Sequence, residues 1–113
     1  MIESPIFVKT YALLLWLAPR TLKFAREYRF TLATRLQTNA FDLQRALLVA
    51  AKAPAGDARR AALCEADVEL AELKLNWRLA HDLKLLDARA FEHGTRLVDE
   101  VGRLLGGWQN KSK

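Results

Sequence analysis

The chain has 113 residues, a net charge of +5 and a single cysteine. That length holds one domain with one core and leaves no room for a polymerase, a kinase or a two-domain dehydrogenase. The lone Cys64 excludes an intrachain disulfide and a cysteine-based zinc site, and a hydrophobic content of 51% excludes a disordered basic tail.

Five glycines and three prolines are few, while Leu, Ala and Arg abound, so the chain reads as helical throughout. No run reaches the roughly 18 apolar residues of a membrane span. Tyr11 to Ala18 is apolar, but Glu3 stands where a signal peptide needs positive charge and no small-residue cleavage site follows, so this run belongs to a first helix. Ser4-Pro5 opens that helix as N-cap and first-turn proline. Phe7, Tyr11, Leu14 and Ala18 follow at helical spacing, and Pro19 ends or kinks it. The second helix is expected from about Phe24 to Ala53, with Leu32, Leu36, Leu43, Leu47 and Ala50 on one stripe.

Pro54-Ala55-Gly56-Asp57 is the clearest break. Asp57 is expected to cap a third helix reaching Leu83 or Leu86, with Leu63, Ala66, Leu70, Leu73, Trp77 and Ala80 alternating by three and four. Asp87 is the expected cap of a fourth helix whose inner face is Phe91, Gly94, Val98, Val101 and Leu105. Gly106-Gly107 is expected to stop it, which leaves a bundle domain over residues 1–108 and a disordered tail over 109–113. The fold class is therefore all-α, an up-down-up-down four-helix bundle.

More apolar surface is present than one stripe per helix requires. Phe30, Phe41 and Leu48 lie roughly 120° from the centre of the second helix's main stripe, at about 100° per residue. Val68, Leu75, Leu79 and Leu86 lie off the Leu63–Trp77 line. Either the core face is wide or these residues form a subunit interface, with Phe30, Phe41, Leu48, Leu75 and Leu79 as its candidates. The charge is uneven as well. Residues 1–53 hold eight basic side chains (Lys9, Arg20, Lys23, Arg26, Arg29, Arg35, Arg45, Lys52) and three acidic ones (Glu3, Glu27, Asp42), while the rest of the chain is balanced. In one helical frame Lys23, Arg45, Lys52, Arg20 and Arg35 fall within about 120° of each other. Such a sector is either an ordinary solvated face or a surface for phosphates.

No catalytic constellation stands out. His81 and His93 lack metal-ligand spacing, and a helix break separates them. Cys64 has no histidine at helical spacing to activate it and reads as a packed or inert thiol. Glu65, Asp67, Glu69 and Glu72 lack the Glu-x-x-His pattern of a di-metal bundle and read as an acidic solvent face. There is no phosphate-binding glycine loop; the terminal glycine pair lacks the Lys-Ser/Thr that would follow it. The expectation is a protein that is not an enzyme, with no cofactor, no metal and no small-molecule substrate.

Three stretches are more specific: Arg29-Phe-Thr-Leu-Ala-Thr-Arg35-Leu36-Gln37, Arg78-Leu79-Ala80-His81-Asp82-Leu83, and Glu100-Val-Gly-Arg103-Leu-Leu-Gly106-Gly107-Trp108. Their order and spacing resemble the four-helix-bundle family of the accessory variability determinant (Avd) of diversity-generating retroelements. The wider family includes proteins encoded in intervening sequences of bacterial 23S ribosomal RNA genes. The resemblance covers Phe7 to Trp108, and Arg78-Leu-Ala-His-Asp-Leu is closer to the retroelement branch. Phe24-Ala25 stands where many relatives have Phe-Pro, and Ala33 where Gly is common; both changes favour continuous helix.

The resemblance implies a homopentameric barrel of bundles, cytoplasmic in a bacterium or encoded by a phage, with no membrane contact. It implies a non-catalytic subunit that binds the element's reverse transcriptase and its template RNA, and possibly DNA, in making mutagenic, adenine-targeted cDNA. The alternative is a self-assembling bundle of the ribosomal-intervening-sequence kind, with a nucleic-acid or scaffold role and no reverse transcriptase. Under the resemblance, Gly102, Gly106 and Gly107 allow close helix approach or end the last helix, and Trp108 plugs the bundle's end. The candidate nucleic-acid and partner contacts are Arg20, Lys23, Arg26, Arg29, Arg35, Arg45, Lys52 and Arg78. For Arg29, Arg35, Arg78 and Arg103, an intramolecular bridge to Glu27, Asp82, Asp99 or Glu100 is the competing role.

Overall fold

The computed structural model describes residues 4–113; Glu3 lies outside them. Five helices appear in chain order: α1 (Pro5–Thr21), the single-turn α2 (Arg26–Arg29), α3 (Leu32–Lys52), α4 (Asp57–Asp82) and α5 (Ala88–Lys111). The four long helices form a four-helix bundle. α1 packs on α3 and α5, α4 packs on the same two, and α3 with α4 is the most extensive pair. Short connections reverse the chain each time, which is the up-down-up-down arrangement the stripes imply. The body measures 43 × 23 × 21 Å, its long axis close to the ~39 Å expected of the 26-residue α4.

The expected stripes of α3 and α4 are the core, while on α1 the expected Tyr11 is exposed and Leu13 and Leu17 are buried in its place. Leu36, Leu43, Leu47 and Ala50 of α3 and Leu63, Ala66, Leu73 and Ala80 of α4 are fully or almost fully buried, facing Leu13 and Leu17 of α1 and Val101 and Leu105 of α5. Asp87 caps α5 as expected, its carboxylate accepting the Ala90 N–H at 2.7 Å.

Four further expectations need correction. The second helix is not continuous. Ala25 is extended (ψ 143°), and Thr31 breaks the chain again at φ −119°, ψ −89°. Anchoring explains this: Phe24 is buried in the core while Phe30 is 86% exposed, and the elbow between them lets one point in and the other out. The Arg29 carbonyl, orphaned by the break, accepts the Thr34 hydroxyl at 3.1 Å. Secondly, Pro19 does not end α1, which runs two residues further to Thr21.

Thirdly, Gly56 (φ 124°), not Asp57, is the N-cap of α4, and Asp57 instead pairs with Arg60 one turn on. α4 ends at Asp82 with Leu83 as its C-cap, the nearer of the two ends expected at about Leu83 or Leu86. Fourthly, Gly106-Gly107 does not stop α5, and Gln109 to Lys111, expected as tail, continue it. Each glycine costs helix about 1 kcal/mol. Packing on both sides overrides that cost: Leu105 is fully buried, and Trp108 meets Phe7 edge-on at 6.5 Å.

Two polar devices went unread in the sequence. Arg59, in the first turn of α4, donates to the Ala50 and Ala53 carbonyls at 3.2 and 2.7 Å, and so caps the C-terminus of α3 with a cation. Asn39, 1% exposed, donates to Glu69 at 3.1 Å and accepts from Asn76 at 2.9 Å, a part-buried chain that ties α3 to α4.

The end of α4 makes a testable demand. Lys84 has φ 64°, the left-handed conformation that glycine favours. Its N–H bonds to the His81 carbonyl and the Leu85 N–H to the Ala80 carbonyl, the paired bonds of a Schellman turn. Lys84→Gly is therefore expected to stabilise the fold by about 1 kcal/mol, less the chain entropy glycine adds to the unfolded state. Thermal unfolding checks it; a lower midpoint would contradict the strain.

Candidate nucleic-acid interface

The topology gathers cations that the sequence left scattered. The C-terminus of α1, all of α2, the N-terminus of α3, the C-terminus of α4 and the N-terminus of α5 share one end of the bundle. Six of the eight sequence-predicted cations lie there: Arg20, Lys23, Arg26, Arg29, Arg35 and Arg78. Lys84, Arg89 and Arg96 join them from the α4–α5 connection and α5. Those three were missed because charge was read along the chain, where residues beyond 53 balance, and not by end of the bundle.

Arg45 and Lys52 sit elsewhere, seven residues apart on one face of α3, along a groove with Leu48, Val49 and Ala53. The single helical frame that aligned Lys23, Arg20 and Arg35 with them does not exist, because the chain turns at Leu22–Ala25 and again at Phe30–Thr31.

All eight are exposed, but their engagements differ. Arg20 lies over the Trp16 ring, 4.2 Å from its centroid, and donates to the Trp16 carbonyl at 3.3 Å. Arg29 donates to the Phe24 carbonyl at 3.4 Å, holding the elbow. Arg35 pairs with Glu72 of α4 at 3.4 Å and Arg78 with Asp82 at 3.8 Å. Those exposed pairs are each worth about 0–1 kcal/mol, so either arginine can exchange its partner for a phosphate. Lys23, Arg26, Arg45 and Lys52 have no ion-pair partner among the described residues.

The far end is more self-contained. Arg103 donates to Glu100 at 2.6 Å, and that hydrogen bond holds the Glu100 carboxyl below the usual glutamate range while raising the arginine's own value.

The apolar candidates divide. Phe30 is 86% exposed, Leu75 68%, Phe41 53% and Leu79 46%. Leu48 instead packs partly buried against the core, as does Leu86, which lies in the α4–α5 connection. Phe30, Leu79 and Leu83 line one open groove of about 720 Å³ with Tyr28 and Arg35. Along the outer face of α4, Ala61, Cys64, Val68, Ala71, Leu75 and Leu79 are all exposed, at spacings of three and four. Cys64 is thus an exposed thiol, not a packed one.

Glu69 and Glu72, expected on an acidic solvent face, reach across to Asn39 and Arg35 of α3. His81 stacks on Phe91 at 4.1 Å and His93 lies 5.0 Å from Trp16. Among the described residues no three His, Cys, Asp or Glu side chains converge on a metal position, and no helix is long and apolar enough to cross a membrane.

A family model described as bAvd-like matches residues 6–112, from the first turn of α1 to the end of α5. The chain belongs to the bAvd-like family. No curated protein matches it. The bAvd-like match and the four-helix bundle cover the same residues, so the family assignment extends over the basic end and the outer face of α4 alike.

Proposed function

We propose that this protein is a non-catalytic accessory subunit of a diversity-generating retroelement. It assembles into a homopentameric barrel and binds the element's reverse transcriptase and template RNA or cDNA through its basic surface, in support of mutagenic retrohoming. The observation that carries this reading is membership of the bAvd-like family across nearly the whole chain. Two features of the surface support it. Nine exposed cations at one end of the bundle suit a polyanion. The exposed apolar face of α4, with Phe30, offers area that a monomer leaves unused. Around a ring of five, the charge of each copy recurs, and contacts too weak singly act together.

The test is binding to a single-stranded template RNA, and to the reverse transcriptase of the proposed element, across a salt series. If the nine end cations each neutralise one phosphate, the log affinity should fall with log salt at a slope of about −6, from ~0.7 per contact on a single strand. Failure to bind either partner at low salt would reject the proposal.

A further inference from the structure

We propose that the cleft between the end of α1 and the start of α5 is a phosphodiester-binding site, holding a single nucleic-acid strand on Arg20, Arg89 and Arg96. This rests on the reading that the chain binds nucleic acid, and it adds α5, whose arginines no sequence argument singled out. The cleft has a volume of about 470 Å³ and is lined by Trp16, Arg20, Asp87, Arg89, Ala90, His93 and Arg96. Arg89, His93 and Arg96 stand at i, i+4 and i+7, one face of α5, and at 1.5 Å per residue they extend over about 10 Å. That ladder is longer than one phosphate, so it suits a strand better than a compact anion.

Arg20 faces the ladder from the other helix. Its guanidinium is held over Trp16 at 4.2 Å and tied to the Trp16 carbonyl, so it is placed before any ligand arrives. The outer plane of a guanidinium is a surface on which an unpaired base stacks, and this favours nucleic acid over an acidic peptide. The two acidic groups nearby are engaged. Asp87 accepts the Ala90 N–H at 2.7 Å, and Glu92 accepts from Arg96 at 3.2 Å. The second of these is an exposed pair that a phosphate oxygen can replace by a bidentate contact. Arg89 has no ion-pair partner among the described residues.

The test uses the full chain and a short labelled single-stranded RNA, with anisotropy measured across a salt series. Three proteins are compared: wild type, Arg89→Ala/Arg96→Ala, and Arg60→Ala/Lys111→Ala as a control at the opposite end of the bundle, which should keep the wild-type slope. Circular dichroism verifies the fold of each. The cleft variant should lose affinity and about 1.4 from the magnitude of its salt slope, ~0.7 for each lost phosphate contact. In parallel, the Trp16 indole N–H resonance of wild type should shift on adding RNA, which needs no variant. An unchanged slope in the cleft variant, or an unmoved Trp16 resonance while RNA binds, overturns the cleft and leaves nucleic-acid binding standing. A resonance that moves with inorganic phosphate but not with RNA overturns the strand in favour of a free anion. No RNA binding by wild type overturns both proposals.

Discussion

Gly94→Ala is expected to destabilise the protein by about 2 kcal/mol, in a helix where the same exchange more than three turns away should stabilise it. A Cβ at residue 94 would clash with Cζ2 of Trp77 and lie 2.7 Å from its Cε2 and 2.9 Å from Cζ3 of Trp16. These are rigid ring atoms, and neither ring can easily withdraw. Trp77 is 3% exposed, and its Nε1–H donates to the Phe91 carbonyl at 3.2 Å. Trp16 meets Trp77 edge-on at 5.7 Å and carries Arg20 on its face. Overpacking of this kind costs up to about 3 kcal/mol, and the helix propensity of alanine returns about 1 kcal/mol of it.

Gly106 and Gly107 have nothing within 4 Å of such a Cβ, so alanine there gains propensity at no steric cost. Thermal unfolding should show the midpoint falling by roughly 8 °C for Gly94→Ala and rising by a few degrees for Gly106→Ala. Adding Trp77→Phe to Gly94→Ala should recover part of the loss, because it removes the two closest atoms; the double-mutant cycle isolates that coupling. A Gly94→Ala protein as stable as wild type would show that the two indoles leave room for a methyl group beside residue 94.

The contrast among these glycines shows what could be read in advance. Gly94 falls on the periodic inner face of α5, so its burial was legible, but its cause was not: the indoles come from α1 and α4, and one chain's spacing does not place them. Gly106 and Gly107 looked like a stop signal because two adjacent glycines weaken a helix, yet Leu105 and Trp108 pack on either side and hold it. The same override explains the elbow at Phe30–Thr31. The stripe from Leu32 onward is regular and was readable. The break before it depends on Phe24 reaching the core, a tertiary fact. The Asp87 cap was legible because its partner lies three residues away, whereas Arg59 caps a helix to which it does not belong. Individual cations were legible too; their convergence on one end required the topology.

Charge placed on the outer face of α4 is expected to abolish assembly without unfolding the chain. Val68 and Leu75 are 54% and 68% exposed, so in a monomer Val68→Glu/Leu75→Glu removes little buried area and should change stability by no more than about 1 kcal/mol. In an oligomer packed through this face, each glutamate would have to be desolvated, at several kcal/mol per ion. The effect repeats at every interface of a closed ring, so dissociation should be complete and not graded. Light scattering should give a multiple of the 12.8 kDa chain for wild type, fivefold for a pentamer, and the single chain for the variant, with unchanged helical circular dichroism. Phe30→Ser, on the elbow that shares its groove with Leu79, tests whether the interface extends to the basic end. If it too dissociates the ring, the apolar and cationic surfaces adjoin, and each neighbour would add its cations to the same strand. A monomeric wild type at micromolar concentration would remove the ring, and with it the gathering of modest charges into one polyanion-binding surface.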